Sequence, residues 1–144
     1  MAEESGTVLI PTGAEADDTD FVFRAISVKP EQWTGDRPSS AAFLNNPLSV
    51  AIQSKLHEDR TQAGQACVVL VEAGHIGGHP KSGVVGFACL EAKKLGFATH
   101  HERDESEHES HAHVYSMDDG RKIKKSKARA IAKLAAQHVV RKPG

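Results

Sequence analysis

The apolar residues of this chain arrive in short runs of strand length, broken by stretches rich in proline, glycine and asparagine. Only two segments carry the 3.6-residue period of a helix. That pattern rules out a helical bundle and a long coiled coil, and it points to a small sheet with a few helices packed on it. Order is expected from Asp20, because Phe21, Val22, Phe23 and Ile26 bring the aromatic and β-branched density of a strand. Leu48, Val50 and Ile52 alternate with Ser49, Ala51 and Gln53, the period of a half-buried strand. Cys67–Val71 is a compact apolar run and reads as a buried strand. Phe97–His101 and His111–Met117 read as two more.

Ser39 or Ser40 stands where a cap belongs for a short helical turn through Phe43, and Asn46-Pro47 ends that turn, since the residue before proline avoids helical angles. The first full helix is expected from Gly83 to about Leu95, with Ser82 as its N-cap and Gly96 at the left-handed closing position. The second is expected from about Lys124 to Val140, with Ala128, Ile131, Leu134, Ala135 and Val139 on one stripe. The fold class is therefore α+β: a small, mainly antiparallel sheet with two packed helices.

A chain of 144 residues suits one domain able to bury a single core. Aromatics are 5% of the chain, so Ala, Val, Leu and Ile must fill most of that core. Residues 1–20 hold six acids and no base, and residues 1–19 are expected to form a mobile acidic tail, leaving 20–144 as the domain. The tail has no basic stretch ahead of an apolar one, so it does not read as a secretory signal. No apolar run approaches membrane-spanning length. Cys67 and Cys89, both in apolar surroundings, read as reduced core thiols. A cytoplasmic protein without membrane contact is expected.

Chemistry-bearing residues concentrate late in the chain. His100 to His113 reads HHERDESEHESHAH, five histidines among five carboxylates. His108, His111 and His113 form an H-x-x-H-x-H spacing, and on a strand His111 and His113 would share a face. With His100 or His101 from a neighbouring strand they are candidate ligands for Zn²⁺. No cysteine or H-E-x-x-H signature accompanies them, so no resident metal or other cofactor is expected. His113 lies between Ala112 and Val114 and suits proton transfer if half-buried.

Arg24 is unusual in mid-strand. Taken with Ser40 or Ser49, it is similar to the loose layout of ADP-ribosyltransferase-like folds, which implies a guanidinium holding a dinucleotide phosphate. The catalytic glutamate of such folds has no clear counterpart here. The segment Gly74–Gly83 is glycine-rich but lacks the Walker spacing, and reads as a connection.

From Arg121 to the end there are nine cationic side chains and no acid. Lys124, Lys125, Lys127, Arg129 and Lys133 form the candidate partner-binding set. A protein partner is favoured over nucleic acid, because the segment has no aromatic for base stacking and the whole chain carries a net charge of −1.

Phe23–Ile26 (FRAI), Ser40–Phe43 (SAAF), Leu48–Val50 (LSV), the Gly83–Phe97 block and His111–Tyr115 (HAHVY) together resemble a family of small bacterial proteins with no assigned activity. The resemblance implies a compact bacterial cytoplasmic protein in which Arg24, Ser40, Ser49 and His113 sit in the shared motifs. Two functions remain open from the residues. One is a non-enzymatic binding or accessory protein in a larger cytoplasmic assembly, working through its segregated charges. The other is a small enzyme acting on a nucleotide-like or nucleic-acid substrate with Arg24, a serine and His113.

Overall fold

The computed structural model of the chain describes residues 14–44, 48–52, 60–73, 81–101, 111–117 and 123–144. Its frame is a six-stranded antiparallel sheet in the order β6-β7-β4-β1-β5-β8. The strands are β1 (Phe21–Ile26), β4 (Leu48–Ile52), β5 (Gly83–Ala88), β6 (Phe97–His101), β7 (His111–Ser116) and β8 (Val139–Arg141). Two two-residue strands, β2 (Trp33–Thr34) and β3 (Arg37–Pro38), make a separate hairpin that turns on Gly35 at φ 61°. The helices are α1 (Arg60–Glu72), α2 (Cys89–Lys94) and α3 (Lys125–Ala135), with a 3-10 turn at Ser40–Phe43. The α+β class and the antiparallel sheet match the sequence expectation, with three helices rather than two.

Side-chain alternation divides the sheet into two faces. One face presents Val22 and Ile26, Leu48, Val50 and Ile52, Val85 and Phe87, Phe97, Ala112 and Val114. The 3-10 turn, α2 and α3 cover it through Ala42, Phe43, Ala92, Ala128, Ile131 and Ala135. On the other face Phe21, Phe23, Ala51 and Val84 meet Cys67, Val68 and Val71 of α1. Each fully buried side chain of this size contributes about 1.5–3 kcal/mol relative to exposure.

Three local expectations are corrected. Gly83–Ala88 is a strand, not the start of a helix, and the helix proper begins at Cys89. As an inner strand between β1 and β8, β5 is buried on both faces, so it lacks alternation, and its apolar run imitates one turn of helix. Ser82 caps nothing helical. It lies buried, and its carbonyl accepts Arg141 Nε at 3.1 Å and Nη2 at 2.6 Å. The predicted end of that helix does hold: Gly96 sits at φ 90° and its N–H donates to Lys93 O at 3.0 Å.

Cys67–Val71 lies inside α1 rather than in a strand. A short apolar run does not by itself distinguish a strand from the buried part of a helix. The last helix stops at Ala135, after which His138 N–H donates to Ala135 O, and Val139–Arg141 become the edge strand β8. Val139 therefore belongs to the sheet and not to the helical stripe.

Backbone pairing also starts before Asp20. Ala16 N–H donates to Thr99 O at 2.9 Å and His101 N–H to Ala14 O at 2.8 Å, so residues 14–16 line the outer edge of β6. Residues 1–13 of the expected tail fall outside the described residues.

Candidate functional site

Arg24 faces the core side of β1 and spends its guanidinium on backbone. Nε and Nη2 donate to Ala42 O at 3.1 and 2.9 Å, and Nη1 donates to Ser49 O at 2.9 Å. The guanidinium carbon lies 5.8 Å from the centre of the Phe43 ring, close enough for a cation–π contact. The β1–β4 ladder registers Val22 with Ile52 and Phe23 with Ala51, and Ser49 lies beyond those pairs. Arg24 thus supplies a donor where the ladder stops, and a second one to the carbonyl of the 3-10 turn. Burial lowers the guanidinium from its ordinary value to about 10, far enough above neutrality that it stays charged.

Ser40 begins the 3-10 turn on this same side of the sheet. Ser39 occupies the cap position, but its hydroxyl donates to Glu31 O rather than capping the turn. His113 lies on the opposite face, since its neighbours Ala112 and Val114 are both in the core beneath α3. Ser49 is the register partner of His113 and shares its face. The sequence candidates therefore divide between two faces: Arg24 with Ser40 on one, Ser49 with His113 on the other. They do not line one cleft.

The sheet face carrying His113 is the first surface with chemical potential. The register sets Glu15, His100, His113 and Ser49 side by side across the sheet, with His111 opposite Ala51 and Tyr115 opposite Ala98. The rings of His111 and His113 are 4.8 Å apart and nearly perpendicular, and Tyr115 approaches His113 at 6.0 Å and His100 at 5.8 Å. His111 is buried, His100, His113 and Tyr115 are half-buried, and Glu15 and Ser49 are exposed. His101 points to the other face with its partner Ala112 and is separated from this group. His108 lies outside the described residues. Among the described residues no group of three or more His, Cys, Asp or Glu closes on a common metal position.

The outer face of α3 is the second. Lys124, Lys125, Arg129 and Lys133 are exposed, while Ala128, Ile131, Ala132 and Ala135 are buried. None of these four cations pairs with a carboxylate of a described residue. Elsewhere Lys93, Lys94, Arg141 and Lys142 do so, with Asp18, Glu91, Glu72 and Asp36. Exposed Arg37 lies on β3, which packs beside α3. Lys127 departs from the expected outward set. Its ammonium donates to Gly96 O at 3.2 Å and lies 5.6 Å from the Phe97 ring centre, so it ties α3 to the end of α2.

The two thiols offer no reactivity. Burial pushes Cys67 up to about 12, and burial, only partly offset by a hydrogen bond with Thr99, pushes Cys89 up to about 11. Neither should label with a thiol reagent at neutral pH in the native protein, and both should label after unfolding. Fast native labelling of either would show that its cover opens. Among the described residues no helix is long and apolar enough to cross a membrane. Comparison with family models, with curated proteins and with solved structures finds no match to this chain.

Proposed function

We propose that this chain is a non-enzymatic binding protein that docks an acidic protein partner on the outer face of α3, within a larger cytoplasmic assembly. The observation that carries this reading is the unpaired state of Lys124, Lys125, Arg129 and Lys133 among the described residues, beside a core stripe already used in full. Lys125, Arg129 and Lys133 follow at intervals of four residues. They make one ridge with charges about 6 Å apart along the axis. Arg37 on β3 widens the surface beyond a single helix. Asp17 and Asp18, which lie beside Lys93 of α2, would repel an extended polyanion such as duplex nucleic acid, whereas a compact acidic patch avoids them.

The test uses poly-glutamate and mixed-sequence duplex DNA as defined probes. Reversing Lys125→Glu and Arg129→Glu together should change stability by no more than about 1 kcal/mol, because exposed charges contribute little. Poly-glutamate binding should fall by about tenfold or more, and added salt should weaken wild-type binding in the same direction. Equal binding by wild type and double variant removes α3 as the interface. Tight DNA binding without poly-glutamate binding replaces the protein partner with a nucleic acid.

A further inference from the structure

We infer that the histidine face of the sheet is an open, exchangeable site for a first-row transition-metal ion, chelated by His111 and His113 of β7. Two residues apart on a strand, these side chains project to the same side, and the strand holds them there without any loop having to order. A metal about 2.1 Å from each ligating nitrogen lies roughly 3.2 Å from each ring centre, so two rings sharing one ion stand roughly 4.5–5.2 Å apart for angles between square and tetrahedral. The observed 4.8 Å falls in that interval, and the perpendicular ring planes allow both edges to turn toward one point. An imidazole has two ring nitrogens, so each can keep a neighbouring group on one and ligate with the other, which is how metal-bound histidines are ordinarily oriented.

The surroundings fit a metal that comes and goes. His100 stands opposite His113 in register, yet among the described residues no third His, Cys, Asp or Glu joins the pair at one metal position. That leaves two imidazoles as the chelate and water for the remaining positions. Soft thiolate ligands are absent from the site, since Cys67 and Cys89 are buried elsewhere in the core. Imidazole-only ligation with open positions favours Cu²⁺ and Ni²⁺ over Mg²⁺ or Ca²⁺. The site is separate from α3, which packs on the other face of the sheet, so it stands or falls independently of the docking surface.

The experiment is a titration of the full chain with Cu²⁺ alone, followed by calorimetry and by electron paramagnetic resonance. The wild type should take up one tighter equivalent whose spectrum shows two equatorial nitrogens. His111→Gln and His113→Gln should each weaken that equivalent by about tenfold or more, whereas His138→Gln should leave it within about twofold. Because His111 is buried, its variant is first checked for an unchanged thermal transition. If it unfolds, His113→Gln and the wild-type nitrogen count decide. An equivalent that survives His113→Gln, or a spectrum with a single nitrogen, overturns the proposal, as does no binding at all.

Discussion

Gly86→Val should be among the most damaging single substitutions in this protein, lowering stability by about 3 kcal/mol and the melting temperature by roughly 10 °C. A Cβ placed on Gly86 would stand 2.5 Å from Phe21 Cε2 and 2.8 Å from Phe23 Cδ1, well inside contact distance. Neither ring is free to withdraw. Phe23 is the register partner of Gly86, and the two rings pack at 5.2 Å, with Phe21 also edge-on to His138 at 5.0 Å. Both rings lie beneath α1 in one apolar cluster, so displacing them opens the helix–sheet seam. Glycine is required here by close approach rather than by an unusual backbone angle. Gly86→Ala should show the same defect at a smaller size. Thermal or urea unfolding checks both, and a Gly86→Val protein as stable as wild type would mean that the rings are not seated over β5.

Arg24→Met should cost about 2–4 kcal/mol, because it keeps the side-chain volume and removes every donor. Ala42 O would then lose its partner in a half-buried setting and Ser49 O in a more exposed one, and the 3-10 turn would lose its tie to β1. Arg24→Lys should recover part of the loss at most, since an ammonium cannot reproduce the planar fork that reaches both carbonyls. The measurement is urea unfolding of the three proteins. A methionine variant within about 0.5 kcal/mol of wild type would show that water satisfies those carbonyls, and it would return Arg24 to the list of residues available for a ligand.

Arg24 also illustrates how far the residues alone could lead. Its place in the middle of a strand marked it as unusual, and that signal was sound. A guanidinium binds phosphate and carbonyl oxygen with the same donors, so the local sequence does not say which one it meets. The answer depends on where the turn at 40–43 lands, a contact between residues eighteen apart in the chain. His113 gives the complementary case. Its alternation with Ala112 and Val114 was enough to place it across from the core, and His111 beside it. That His100 and Ser49 flank it follows from strand order and register, which no local pattern contains.

Residue pattern alone was enough to place most elements whose two sides differ in environment. β4, β6 and β7 alternate because each has one face on the α3 core, and α3 shows its stripe because one side meets that core and the other meets solvent. β1, covered on both faces, was legible instead from its density of aromatic and β-branched residues. Gly96 closes α2 for a reason equally local, its left-handed backbone. Two elements that lack such contrast depend on long-range contacts for their identity. β5 is covered on both faces, and β8 is three residues long, so hydrophobicity carries no period in either. The same holds for function: exposure of the α3 cations was legible locally, but Lys127 left that set because α2 ends beneath it, where Gly96 O accepts its ammonium as well as the N–H of Met117.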